Sequence, residues 1–286
     1  MIRMFDVALL GVKGGPAIAP GSNMPASNLL RIGERVILVD AGLGATRGLC
    51  DQGVHPREVD TILITHLHSD HYLELGPFLH TAWVGGLTRP VRVIGPRGLG
   101  AYWEGFLASM SFDIDLRIED EGRCDLAALA QIEEMSEGLL LDDSGLRIDA
   151  LRNHHPPITE SYALRFEAMG KRAVLSGDTA YFEPLIAFAE GADLLVHEAL
   201  LEAGVDALCA GLNLTDGRLK RHLMQSHTTA QEAGRIASLA GVNHLALTHF
   251  VPGADPSLTP ALWEAAVRET WQGRLSLGRD GMRIAV

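Results

Sequence analysis

No apolar run in this 286-residue chain approaches the length, about 18 residues or more, that a bilayer-spanning helix needs. A membrane role is therefore not expected. Cysteine is scarce: Cys50, Cys124 and Cys209 are odd in number and far apart, giving neither a disulfide framework nor a Cys-x-x-Cys metal pair. They fit a reducing compartment and point to the cytoplasm, with the periplasm as the alternative. The early apolar run Val7–Val12 is too short and too broken by glycine for a secretory leader, and it reads as a first strand. Basic residues are also few, 24 Lys and Arg against 36 Asp and Glu, for a net charge of −12. Nucleic-acid affinity comes largely from Lys and Arg neutralising phosphates, so this balance argues against a long polyanion as partner. Arg218, Lys220, Arg221 and His222 do gather, but they read as a solvated helix face. The expected partner is a small molecule, with no nucleic acid and no membrane.

What is present describes an ordinary folded chain. Hydrophobic residues make up 47% and charged residues 21%, enough for a sizeable core. No internal period, low-complexity segment or linker divides the chain, so residues 1–286 are expected to form a single domain. The densest chemistry lies in Thr61–Tyr72, TILITHLHSDHY. Ile62–Ile64 has the composition of a buried strand. His66 and His68, two apart in an extended segment, face the same way, while Asp70 and His71 project around the turn. A lone histidine in a strand is ordinarily a packed residue; three histidines and an aspartate within six positions suit a borderline divalent cation. One ion takes three or four ligands, and four groups aimed in two directions suit two ions sharing the motif.

His66-x-His68-x-Asp70-His71 resembles the signature of the metallo-β-lactamase superfamily, whose members hold one or two metals between two β-sheets. Further segments resemble its tRNase Z and arylsulfatase branch in the same order. They are Gly14-Gly15-Pro16, the Ile94-Gly95-Pro96 turn, Asn153-His154-His155-Pro156, Ser176-Gly177-Asp178, His197-Glu198-Ala199, His227-Thr228-Thr229 and Thr248-His249-Phe250. The resemblance implies an α+β fold, a four-layer αββα sandwich. It also implies two divalent metal ions per chain, zinc first, with manganese or iron as alternatives. Carried over position by position, one metal takes His66, His68, a histidine of the 154/155 pair and Asp178. The other takes Asp70, His71, Asp178 and His249. Of the pair, His154 is preferred as ligand and His155 as a substrate contact at the rim. Asp40 braces the metal loop. His227 faces the substrate as oxyanion donor or general acid, Glu198 fixes its tautomer, and Asp70 orients the nucleophile.

The expected reaction is hydrolysis of a small-molecule ester, a phosphodiester, aryl sulfate, carboxylic ester or lactone. The attacking water would have its pKa lowered toward about 7 by the two metals. The alternatives are a tRNA 3′-end endonuclease like tRNase Z, or a non-hydrolytic metal-binding member. Against the endonuclease stands the tRNA-clamping basic arm of that family, inserted between the middle histidine and the bridging aspartate. Here His154 and Asp178 are only 24 positions apart. The 28 residues from Ala199 to Ser226 are longer than that branch would lead one to expect, and read as a helical lid or a homodimer surface.

Overall fold

The computed structural model describes residues 4–286 apart from 215, 254 and 256. Among the described residues, fourteen strands divide into two seven-stranded sheets. The first contains β1 (Phe5–Gly11), β2 (Ser27–Ile32), β3 (Arg35–Val39), β4 (Thr61–Leu63), β5 (Val91–Gly95) and β6 (Ala130–Glu134). The second contains β7 (Gly138–Asp143), β8 (Leu146–Arg152), β9 (Tyr162–Ala168), β10 (Lys171–Leu175), β11 (Leu194–Leu200), β12 (His244–Val251) and β13 (Arg274–Leu277). The last strand, β14 (Met282–Ala285), returns to the first sheet and pairs antiparallel with β1. By sequence alone, Arg274–Leu277 and Met282–Val286 both read as strands that close the second sheet. That expectation is corrected for β14, whose partners are Asp6, Val7, Ala8 and Leu9.

Strand alternation explains the layering. In β1, Phe5, Val7 and Leu9 join the core shared by both sheets, whereas Ala8 and Leu10 pack toward the outer helices. The same split recurs in β3, with Ile37 and Val39 inward and Leu38 outward. Helices α1 (Ala45–Asp51), α2 (Ser69–Tyr72), α3 (Leu75–Val84) and α4 (Leu99–Glu121) follow strands of the first sheet. Leu49, Phe78, Trp83 and Trp103 of α1, α3 and α4 cover its outer face. On the second sheet lie α5 (Pro184–Phe188), α6 (Val205–Gly211), α7 (Arg218–Ser226), α8 (Ala230–Ala240) and α9 (Pro260–Arg268). Leu185, Ile236 and Val267 of α5, α8 and α9 pack on this side. The result is the αββα sandwich.

Thr229 and Glu232 form a reciprocal capping box at the start of α8, and Gly241 ends it in the left-handed region. The sequence of residues 115–150 suggests acidic turns and then a strand over Leu146–Leu151, but α4 runs on to Glu121, and β6 and β7 precede that strand. The polar, acidic end of α4 buries only Ile114 beyond its first turns, so it carries little helical periodicity.

The shared core sets a stability test. Phe166 on β9 is fully buried between the sheets. Phe166→Ala should cost about 3–5 kcal/mol in urea unfolding of the metal-free protein; a loss below 1 kcal/mol would mean that this core is loosely packed.

Candidate metal centre

The functional side chains collect where β4, β8, β10, β11 and β12 end, at the carboxyl edge where open parallel sheets bind ligands. β3 ends in Asp40, whose φ of 61° lies in the left-handed region that aspartate tolerates. Its carboxylate accepts from the Thr65 N–H at 2.8 Å, from the Thr65 hydroxyl at 2.9 Å and from His71 Nδ1 at 2.8 Å. The brace inferred for Asp40 is thus a set of contacts. With its Nδ1–H given to Asp40, His71 turns Nε2 toward the other carboxylates, buried without a hydrogen-bond partner; burial alone would lower this imidazole, but Asp178, Asp40 and Asp70 raise it well above its ordinary range, so Nε2 is a proton-binding position that a cation would take over. It sits 3.3 Å from Asp178 Oδ2 and 3.6 Å from Asp70 Oδ2.

Two groups form around Asp178. In the first, His66, His68, His155 and Asp178 bring ligand atoms within 4.8 Å of one another; in the second, Asp70, His71 and His249 do the same. Asp178 Oδ2 lies 3.7 Å from His66 Nε2 and 3.1 Å from His249 Nε2, so one oxygen faces both groups. Gly177 makes this possible: its φ is +57°, and a Cβ there would strike the Tyr162 carbonyl. Asp70 is aimed by the Gly15 N–H, which donates to Oδ2 at 2.7 Å. Gly14, next to it, has no room for a Cβ beside the His249 ring.

The preference for His154 is corrected. His155 is the buried member of the pair, and its Nε2 lies 3.0 Å from His68 Nδ1. His154 is exposed, and it is held through its backbone alone, N–H to the Thr179 hydroxyl and C=O from the Ala180 N–H. Extended-chain alternation decides between them. Asn153 points inward to donate to the Ser176 carbonyl at 2.8 Å, so residue 155 points inward too and residue 154 out. His155 Nδ1 donates to the Ser226 carbonyl at 2.8 Å, leaving Nε2 as a lone pair.

His227 follows α7 and gives Nδ1–H to Glu198 Oε2 at 2.8 Å. Its ring stacks on His249 with centroids 5.6 Å apart, and it lies within 4.8 Å of Asp178 and His249. Glu198 also accepts from the Thr179 N–H at 2.5 Å. Burial, then the neighbouring Asp178 carboxylate, push the Glu198 carboxyl well above the usual range. Burial lowers His66, His68 and His227, and pushes His155 down to about 3. Burial alone would raise Asp178, but His249 and His71 beside it hold it well below the ordinary carboxylate range.

This donor set fits divalent cations. His155 Nε2 presents a lone pair, and two imidazole nitrogens, His66 Nε2 and His155 Nε2, crowd to 3.1 and 3.0 Å from His68 Nδ1. One ring nitrogen cannot donate to both neighbours, whereas a shared cation relieves the crowding. Nitrogen and carboxylate oxygen are the donors that a borderline metal takes. Of these groups, His68, Asp70, Asp178, His227 and His249 line a cleft of about 590 Å³.

Sequence reasoning missed His222. Assigned to a solvated face, it is half-buried on the cleft wall with its ring centroid 5.8 Å from that of His68. A usable signal was present, because residues 219, 222, 223 and 226 fall on one face of a helix.

The fold and site define a metal-dependent hydrolase of the metallo-β-lactamase type. The family model described as "Anti-Pycsar protein Apyc1" matches residues 5–243. A protein named Ribonuclease Z from Mycobacterium bovis is 32% identical over 286 residues, 99% of each chain. Two solved structures have similar folds, each covering 98% of this chain and 99% of its own. They are the metallo-β-lactamase fold protein YhfI from Bacillus subtilis, with TM-score 0.72 and 22% identity, and human tRNase Z, short form, with TM-score 0.69 and 21% identity. The chain belongs to the metallo-β-lactamase superfamily, in the group that joins the Apyc1 model to these proteins named Ribonuclease Z.

These relatives overturn the expected small-molecule ester hydrolase and the exclusion of nucleic acid. The missing arm does not discriminate, because a relative that matches over 286 residues and 99% of its length has no space for a long insertion either.

The histidine pair gives a direct test by elemental analysis. His155→Ala should lower the bound metal, and Asp178→Ala should remove most of it, while His154→Ala keeps the parental content. A metal-depleted His154→Ala protein would return the ligand to that position.

Proposed function

We propose that the chain is a metal-dependent endonuclease that cuts an RNA phosphodiester at the 3′ end of precursor tRNA. The end-to-end match to Ribonuclease Z carries this reading, and the buried His227–Glu198 pair beside the metal residues supports it. An RNA substrate and three unpaired cysteines fit the cytoplasm.

In this reading His66, His68, His155 and Asp178 hold one cation, and Asp70, His71, Asp178 and His249 hold the other. Five imidazoles among seven ligands favour zinc, with manganese or iron as alternatives. When bound, the two cations supply Lewis-acid polarisation and a water of lowered pKa. Hydrolysis forms a bond from a water oxygen to phosphorus and breaks the bond from phosphorus to the ribose oxygen. Asp70, fixed by the Gly15 N–H, orients the attacking water. His227 lines the cleft with Nδ1–H committed to Glu198, so Nε2 is the atom that can carry a proton to the departing ribose oxygen. Burial lowers the pKa of this imidazole, which makes its protonated form a stronger acid. Glu198 works through His227 by fixing its tautomer and ring plane.

Metal-loaded protein should shorten a precursor tRNA carrying a 3′ trailer, and dialysis against a chelator should abolish this until zinc is restored. Failure to cut any precursor tRNA at enzyme concentrations that saturate the substrate would defeat the reading. The second test separates chemistry from metal binding. His227→Ala should keep its metals while kcat falls by about 10²–10³, the loss typical of one preorganised donor. Parental turnover in this variant would remove His227 from the mechanism.

A further inference from the structure

The segment between Glu198 and His227 takes no part in the phosphodiester chemistry, yet it forms one wall of the cleft. Helices α6 and α7 make a hairpin with a small core of its own, Val205, Cys209 and Leu223 packed on Leu200 and Val251. Toward the cleft the hairpin presents Leu208, Leu212, Leu219 and Leu223, with His222 among them. The opposite wall is the loop from Lys13 to Ala17, and the floor holds His68, Asp70, Asp178, His227 and His249.

His222 is oriented rather than loose. The Ser226 hydroxyl donates to the Pro156 carbonyl at 2.5 Å, so its oxygen is the acceptor for His222 Nδ1 at 3.2 Å. That contact sets the ring plane and leaves Nε2 for another partner.

A bound RNA has three parts to place. Its phosphate must meet the floor, where the metal-binding groups are. An aliphatic wall offers no donors to a phosphate and would strip water from ribose hydroxyls without replacing it. The flat, weakly hydrated face of a nucleobase is the part that gains from such a wall. A cleft of about 590 Å³ is the size that encloses one compact ligand, which suits a single unstacked nucleotide rather than a helical stem.

Resting on the RNA-cleaving reading, we propose that the α6–α7 hairpin is a base-binding wall. One unpaired nucleobase beside the scissile phosphate lies against Leu208, Leu212 and Leu219, and His222 contacts its polar edge or the attached ribose. This gives the enzyme a requirement for an unstacked nucleotide at the cut, the form in which RNA exposes a base face.

Calorimetric titration of the metal-loaded protein with adenosine 5′-monophosphate and with ribose 5-phosphate isolates the base, since the two share sugar and phosphate. The adenosine compound should bind at least about fivefold tighter, the gain expected when roughly 40 Å² of base face leaves water. Leu212→Ser, at a side chain 51% exposed, tests the wall without threatening the fold. This variant and Leu219→Ser should bring the ratio toward one. Equal dissociation constants for the two compounds in the parent protein, or an undiminished ratio in both variants, would overturn the proposal. Failure of the RNA-cleaving reading stays distinguishable. Base preference without precursor cleavage supports the wall and defeats that reading, whereas cleavage without base preference defeats the wall alone.

Discussion

The burial of four carboxyl groups is the constraint on which the site depends. Asp40, Asp70, Asp178 and Glu198 are each no more than 5% exposed, and a carboxylate withdrawn from water must be paired. Three of them find a backbone N–H and an imidazole: Thr65 and His71 for Asp40, Gly15 and His249 for Asp70, Thr179 and His227 for Glu198. Asp178 instead meets imidazoles from both sheets, His66 and His71 on one side and His249 on the other. The demand for compensation therefore ties the edges of the two sheets to each other. It also explains why the nitrogens crowd as they do, since a cation is the partner that satisfies carboxylates and lone pairs together.

How far the sequence disclosed this follows from the range of the interactions. His66 to His71 was legible because its residues are contiguous and strand alternation assigns their directions without knowing the fold. Asp178 was legible for a similar reason, a strand end followed by glycine. The choice between His154 and His155 needed the phase of an irregular loop, and that phase is set by Asn153 reaching the Ser176 carbonyl 23 residues away. Nothing local in Asn-His-His-Pro encodes it. The placement of β14 failed likewise, because pairing with β1 joins opposite ends of the chain. The acidic end of α4 hid a helix, since a mostly solvated helix lacks the apolar stripe that announces one.

The charge argument failed at a different level. A net charge of −12 is a sum over the whole surface, whereas a nuclease needs positive potential only where phosphate sits. Asp70 and Asp178 contribute to that sum as negative charges, yet they are the groups that would hold the cations. Divalent ions held by these groups would invert the local sign without altering the count of Lys and Arg. The long-range, salt-sensitive part of nucleic-acid affinity still depends on that count, so under the RNA-cleaving proposal a chain of this composition would draw its grip on RNA from the cleft itself.

The cleft also separates reaction from recognition. In the proposed mechanism the groups that would handle protons or ligate metal stand at the ends of core strands and on the braced loops beside them, where packing on both faces allows little movement. The α6–α7 hairpin is attached differently. It packs through its own cluster onto Leu200 and Val251, and it is pinned to the metal loop where His155 meets the Ser226 carbonyl and the Ser226 hydroxyl meets Pro156. Its leucines can therefore change without disturbing the sheets, while its position over the metal residues is kept. A superfamily sharing one metal centre can vary its substrates through such an attachment, because the chemistry belongs to the strand ends and the choice of substrate to the wall above them.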